Sequence, residues 1–355
     1  WSWEKPIMFT GGIGQINSEL TAKDKARTGM LIVQVGGPAY RVGFGGGAAS
    51  SLVQGENEAD LDLDAVQRGD AEMERKMYCV VRTCNDMGEK SPIAVQHDQG
   101  AGGPLNVLKE IVEEAGGYID VRRINVGDKS MSVLDICVAE YQERNAFLIY
   151  PERIEKFKQI CQREKVACEV LGEVTGDGLF KAYDSQTGTT PVDWNLTKIL
   201  GELPQRTYED DHRNPELTPL ELPSDLTPGS DSAFAYIALH VDVGSKLFLT
   251  NKVDRSVSGL VAQQQCCGPL QLPLADVAVV AQSYFGLTGV ASAIGEQARK
   301  MLVNPEAGAR MAVGEALTNI CWAGIYSLQN VSFSANWMWA PKLPGEGAAL
   351  YDAAT

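Results

Sequence analysis

The stretch from Ile93 to Glu110 constrains this chain more than any other. A short apolar run ends at Gln96, and a carboxylate, Asp98, follows almost at once. Three glycines then fall within four residues (Gly100, Gly102, Gly103), and Val107, Leu108, Ile111 and Val112 recur at helical spacing. Such a strand–glycine–helix passage suits the carboxyl end of a strand in an open α/β sheet, where ligands collect. Glycines let the backbone approach a phosphate, and a helix start favours anions. Asp98 is itself an anion, so the arrangement makes sense with a hard cation such as Mg²⁺ between it and a phosphate. The plainer reading, a tight turn with a capping Asp, stands beside it.

A chain of 355 residues is long enough for about two domains. Its net charge of −15 argues against a nucleic-acid surface. No apolar run reaches the ~20 residues of a membrane span. The opening Trp-Ser-Trp-Glu-Lys-Pro has neither the basic region nor the apolar core of a signal peptide. The eight cysteines form no CxxC pair and sit among apolar neighbours, as small buried hydrophobes do in a reducing compartment. With three histidines a zinc site is not expected, and a cytoplasmic location is. The start without Met, and an end that reads as a helix beginning, suggest a piece of a longer polypeptide.

Alternating strand and helix patterns from Leu31 to residue 182 predict an α/β or α+β lobe over 1–182. Within it, residues 36–47 hold six glycines with Arg41 among them, a loop that suits either a phosphate cradle or a tight hairpin. A helix is expected over Asp62–Cys84, with Gln67 near its start, and a strand over Tyr118–Ile124. Residues 183–235 carry six prolines and little periodicity and read as a linker. A second lobe, 236–355, is expected to open with a strand at Lys246–Thr250. A helix start at Gln263–Gln265 and an apolar strand over Leu272–Ala281, interrupted by Asp276, follow. A helix over Met311–Leu328 places Glu315 and Asn319 on one face at i and i+4. An acid in an apolar helix must be paired or coordinated. Glu315, Asn319 and Asp276 therefore suit a Mg²⁺ set, the other reading being a polar stripe turned to water.

Together these motifs resemble one family. Gly36-Gly-Pro-Ala-Tyr-Arg41, Gly45-Gly-Gly-Ala-Ala-Ser-Ser51, Ala65-Val-Gln-Arg-Gly-Asp70, His97-Asp-Gln-Gly-Ala-Gly-Gly103 and Ala139-Glu-Tyr-Gln-Glu143 occur in order. Thr250-Asn-Lys-Val-Asp-Arg-Ser256, Val261-Ala-Gln-Gln-Gln-Cys266, Pro273-Leu-Ala-Asp276 and Asn336-Trp-Met-Trp-Ala-Pro-Lys-Leu-Pro-Gly-Glu-Gly347 follow. The set resembles the large single-chain phosphoribosylformylglycinamidine synthases. The likeness implies an aminoimidazole-ribonucleotide-synthetase-like fold: the C-terminal lobe of a first half, followed by the N-terminal lobe of a second half. It further implies an internal fragment of an ATP-dependent carbon–nitrogen ligase of purine biosynthesis. That enzyme converts formylglycinamide ribonucleotide to the amidine with ammonia from a glutaminase domain elsewhere in the polypeptide. By motif, Asp98 is a Mg²⁺ ligand, Gln67 contacts substrate, and Glu140, Tyr141 and Gln142 form a substrate-binding triplet. Lys246 and Ala275 would meet a structural ADP whose Mg²⁺ is held by Asp276, Glu315 and Asn319. No catalytic residue falls within the chain, so the fragment alone is expected to make no product. Pro104-Leu105 and Cys137-Val138 depart from the family pattern beside proposed site residues, which motivates an alternative: a non-catalytic homologue acting as a nucleotide-stabilised scaffold.

Overall fold

The computed structural model describes residues 14–22, 24–45, 69–100, 102–141, 143–202, 205, 207, 209–224, 226–227, 229–241, 243–247, 259–271 and 274–355. Gln142, residues 46–68 with Gln67 among them, and positions 248–250 of the strand expected at Lys246–Thr250 lie outside them. The chain divides into two compact units that meet in sequence between Pro204 and Gln205.

The first unit is built on a seven-stranded sheet in the order β2-β4-β1-β5-β3-β6-β7. Its strands are β1 (Leu31–Gly36), β2 (Ile93–Asp98), β3 (Gly117–Asp120), β4 (Arg144–Ile149), β5 (Ala167–Val174), β6 (Leu179–Asp184) and β7 (Thr189–Asn195). Every pairing is antiparallel except β3 with β6, so the lobe is α+β. Both sheet faces are covered. Ile32, Ala146 and Leu148 join a core with Val107, Leu108 and Ile111, while the alternate residues Val33, Val35, Phe147 and Ile149 join a second core with Met77, Val80 and Phe157. The two-residue period of a strand thus feeds two helical layers. On one side lie α1 (Ala71–Asp86) and α4 (Ile154–Arg163), and on the other α2 (Gly103–Ile111) and α3 (Val133–Val138). The expected 62–84 helix is described from Ala71, where Asp70 caps it by accepting the Met73 N–H at 2.9 Å.

Two expectations are corrected here. The strand at Tyr118 stops at Asp120, whose side chain accepts the Arg122 N–H at 3.0 Å and opens a 3₁₀ turn over Val121–Arg123. The lobe also runs past residue 182. Strand β7 pairs with β6, α5 (Leu196–Leu200) follows it, and Val192 and Leu196 are buried. Arg122 clamps the far end of β6 by donating to both Asp184 oxygens at 2.7 and 2.8 Å, which holds that carboxyl well below the usual carboxylate range. The Pro- and hydroxyl-rich composition hid a hairpin strand of which Val192 is the buried residue.

The second unit holds α6 (Asp231–Leu239), a three-stranded antiparallel sheet of β8 (Val261–Gln263), β9 (Val277–Ala281) and β10 (Gly289–Ala293), then α7 (Ala298–Met301), α8 (Pro305–Ile320) and α9 (Glu346–Ala354). Gln263 therefore ends a strand rather than opening a helix, and its register partner is Val279. Helix α8 starts six residues earlier than expected. Asn304 caps it by accepting the Ala307 N–H at 2.8 Å, with Pro305 in its first turn, and it ends at Ile320 instead of reaching Leu328. Residues 331–340 are irregular up to the Pro-Gly turn before α9. No helix among the described residues is long and apolar enough to cross a membrane.

Candidate functional site

In the first unit, three segments converge at the ends of β1, β2 and β4. Strand β2 delivers Asp98, which is 89% exposed in its side chain and lies opposite Asn145 in the register. His97 is held beside it, Nδ1 being 2.8 Å from the Asp98 carbonyl and Nε2 3.3 Å from Glu110. Helix α3 is fixed by a capping box between Ser132 and Asp135. It ends after one and a half turns, and Glu140 and Tyr141, both buried, follow it directly.

Glycine loops hold this segment from two sides. Gly43 takes a positive φ of 72°, and a Cβ there would stand 2.4 Å from the Glu140 Cβ. Next to it, the Glu140 N–H donates to the Val42 carbonyl at 3.0 Å. From the other side, the Gly102 N–H donates to Glu140 Oε1 at 2.9 Å, while a Cβ on Gly103 would meet the Ala139 carbonyl oxygen at 2.6 Å. That contact brings the two departures from the family pattern near one another, because Gly103, the residue before Pro104, packs on Val138 and Ala139. Pro104 falls in the first turn of α2, where a missing N–H costs nothing.

Beneath the segment lies Arg144, whose side chain is fully buried. It donates to the Gly37 carbonyl and to Glu169, reaches Gln34 Oε1 at 3.3 Å, and sits 5.0 Å from the centre of the Tyr141 ring. Burial pushes its pKa down. A cavity of about 410 Å³ opens here, lined by Asp98, Gln99, Glu143, Arg144, Glu74 and Tyr78 among others. Burial, together with the neighbouring Glu74 and Asp70 carboxylates, raises the Glu143 pKa. Sequence reasoning missed Gln34, Gln99 and Arg144. The available signal was a glutamine inside the apolar strand Leu31–Val35.

In the second unit, Glu315 and Asn319 face the loop after β10. Glu315 Oε2 accepts the Glu296 N–H at 3.0 Å and the Gln297 amide at 2.6 Å, and Asn319 Nδ2 donates to the Ile294 carbonyl at 3.0 Å. Gly295 permits this approach, since a Cβ there would lie 1.9 Å from the Ala312 carbonyl oxygen. The β9–β10 ladder ends with Ala293 opposite Val277, the residues that adjoin Ile294 and Asp276. Glu315 and Asn319 thus share one corner, and Asp276 lies just beyond the paired end of β9. Ala275, whose N–H donates to the Gln265 carbonyl at 2.7 Å, lines a cavity of about 400 Å³ with Val277, Val279 and Trp322.

The Lys246 ammonium donates to the Val241 and Gly244 carbonyls within its own segment, and positions 248–250 of the strand expected there lie outside the described residues. Among the described residues it makes no contact with Ala275, Asp276, Glu315 or Asn319.

The donor chemistry fits Mg²⁺ in the second unit: two carboxylates and an amide whose nitrogen is already committed to Ile294, which leaves its oxygen as a hard ligand. At Asp98 a cation would need oxygens from its ligand, because no group of three or more His, Cys, Asp or Glu side chains among the described residues is placed to hold a metal.

Comparison with known proteins agrees with this layout. Residues 27–185 match the AIR synthase related protein, C-terminal domain, and residues 245–355 match the FGAR-AT PurM_N-like domain. The probable phosphoribosylformylglycinamidine synthase, chloroplastic/mitochondrial, of Arabidopsis thaliana is 51% identical over 99% of this chain, and the phosphoribosylformylglycinamidine synthase of Homo sapiens is 48% identical over 99%. The chain belongs to the phosphoribosylformylglycinamidine synthase family. It spans about a quarter of the length of these relatives, 26% and 27% respectively. Among solved structures, T. maritima PurL complexed with FGAR shares the fold with a TM-score of 0.63 at 21% identity, over 87% of this chain and 46% of that one. The same protein complexed with ATP gives 0.58 at 17% identity, over 84% and 42%.

Proposed function

We propose that this chain supplies two binding sites to an ATP-dependent carbon–nitrogen ligase. The reaction converts formylglycinamide ribonucleotide (FGAR), glutamine and ATP to formylglycinamidine ribonucleotide in purine biosynthesis, in the cytoplasm. The observation that carries this reading is the seating of Glu140 between two glycine loops, at Gly43 and at Gly102-Gly103, the second of which follows Asp98 at the end of β2. The names of the relatives, and the complexes of T. maritima PurL with FGAR and with ATP, support the same reading.

The first unit takes the ribonucleotide. Glu140, Tyr141 and, outside the described residues, Gln67 and Gln142 bind and orient it, and Asp98 would be the carboxylate that holds a Mg²⁺ ion. Orientation is the main lever in such chemistry: phosphorylation of an amide oxygen and displacement of phosphate by ammonia both require fixed partners. When bound, Mg²⁺ would neutralise phosphate charge. The second unit holds a nucleotide diphosphate at Ala275, with its Mg²⁺ on Asp276, Glu315 and Asn319. Lys246 joins that site by exchanging its two backbone carbonyls for phosphate. Ammonia comes from a glutaminase domain.

Two binding experiments test the sites. FGAR binding by calorimetry is expected for this chain and should fall at least tenfold with Gly43→Ala, which forces the loop off Glu140; equal binding by both would overturn the first site. ADP with Mg²⁺ is expected to raise the melting temperature of the second unit, and Asp276→Asn to abolish the rise. A rise that survives Asp276→Asn would overturn the metal assignment.

A further inference from the structure

Sequence alone leaves the glycine-rich loop over 36–47 open between a phosphate cradle and a tight hairpin, and Arg41 is the cation that would serve the cradle. The described part of the loop is docked on the segment 125–135 instead. Ala39 is held from both sides: its N–H donates to the Asn125 carbonyl at 2.9 Å, and its carbonyl accepts the Gly127 N–H at 2.8 Å. Tyr40 lies over Gly127, where a Cβ would stand 2.2 Å from the ring. The Arg41 guanidinium turns to the same segment. It donates to the Ser130 carbonyl at 3.1 Å and lies 3.5 Å from Asp128 and 3.5 Å from Asp135. Asp128 is itself fixed, accepting the Ser130 N–H at 2.8 Å and the Ser130 hydroxyl at 2.6 Å. Asp135 is the acidic half of the capping box that starts α3.

These contacts close a ring that includes Glu140. One residue past Arg41, the Val42 carbonyl accepts the Glu140 N–H at 3.0 Å, and Gly43 leaves room for the Glu140 side chain. From Asp135, α3 runs to Val138, and Glu140 follows two residues later. Loop and helix thus meet at Glu140 on one side of the ring and at Arg41 on the other. A guanidinium that left for a ligand phosphate would abandon two carboxylates without their cation and would release the loop. We infer that Arg41 is a positioning residue, a clamp between loop and helix that sets Glu140 for the ribonucleotide, and is not a phosphate ligand. The inference rests on the ribonucleotide reading of the first site. Arg41, Asp128 and Asp135 are all partly exposed, so the clamp adds little to overall stability, and its effect falls on the placement of Glu140.

Asp128→Asn separates a clamp from a phosphate ligand. The asparagine still accepts the Ser130 N–H, but it no longer attracts Arg41 by charge. An Arg41 that served phosphate would be freed by this change, and the KM for FGAR would stay or fall; a clamp is weakened, and KM rises. Measured in the intact synthase polypeptide carrying this sequence, KM for FGAR is expected to rise about threefold in Asp128→Asn and about fivefold in Arg41→Met, with kcat within about twofold and the melting temperature within about two degrees. The double variant should match Arg41→Met alone, because residues acting through one contact are non-additive. Hydrogen exchange of the Glu140 N–H in the ligand-free protein should quicken severalfold in both single variants, which loss of a phosphate contact would not cause. An unchanged or lower KM in Asp128→Asn, additive losses in the double variant, or unchanged exchange at Glu140 would overturn the inference. If Arg41→Met does not fold, Arg41→Lys decides by the same measurements, since one ammonium does not reach both carboxylates and the Ser130 carbonyl as a planar fork does. An unmodified enzyme with no FGAR turnover would instead remove the functional reading, and the exchange measurement would still judge the clamp.

Discussion

The two units use similar sequence material to different ends. In the first, Ile32, Val33, Val35, Leu108, Phe147 and Phe157 are sealed from solvent, and helices cover both faces of the sheet. In the second, the described core is reduced to Cys266, Val277, Ala348 and Ala353, while Phe285 is 97% and Leu287 108% exposed. The first unit can therefore hold an arginine and two glutamines in its interior, because packing fixes their neighbours. The second keeps its polar site residues on a helix face and a strand end, near the surface. Placing a ligand by buried polar groups requires a core that does not yield; placing it by surface oxygens does not.

The largest effect should come from Phe147→Ala, whose ring meets Phe157 at 5.4 Å between centroids. A loss of about 3–5 kcal/mol is expected, against less than about 1.5 kcal/mol for the half-buried Val279→Ala in β9. Urea unfolding of the two variants checks this, and equal losses would break the contrast. Next comes Gly43→Ala, expected to cost about 2 kcal/mol through its positive φ and its clash with Glu140, read by the same titration. Phe285→Ser should stay within about 0.5 kcal/mol, as surface changes do. A larger loss would mean that this side chain is covered in solution.

The smallest effect is a pH dependence in the second unit. His212 Nε2 lies 2.9 Å from Asp352, and that carboxylate raises the imidazole pKa above its usual 6.5. The charged pair therefore stabilises the contact fully below pH 6.5 and loses this as pH rises through the raised value. Hydrogen exchange at Asp211 and His212 should quicken over that interval, and His212→Gln should remove the change.

Much of the first unit was legible because its elements bury apolar residues at a regular period, as Ile154–Arg163 does with Phe157, Ile160 and Cys161. Strand β7 was not, since a single buried valine among exposed hydroxyl and acidic residues leaves no period to read. The corner formed by Glu315 and Asn319 was visible as an i, i+4 pair, and the loop of Ile294, Glu296 and Gln297 that meets it was not, because that loop reaches α8 through backbone groups. Likewise, nothing in the sequence marks Arg144, which the antiparallel pairing of β4 with β1 sets opposite Gly36 and beside the Tyr141 ring. That the Lys246 ammonium is taken by the Val241 and Gly244 carbonyls is an arrangement that residue type does not reveal.

Gly103 resting on Val138 and Ala139 carries an evolutionary corollary. The faces at 103–105 and 137–139 are two halves of one joint, so a change of bulk on either is viable only with an answering change on the other. Among sequences of this kind, the pairs at 104–105 and 137–138 should be inherited together, and a chimaera that takes one pair without the other should lose the alignment of Glu140 before it loses its fold.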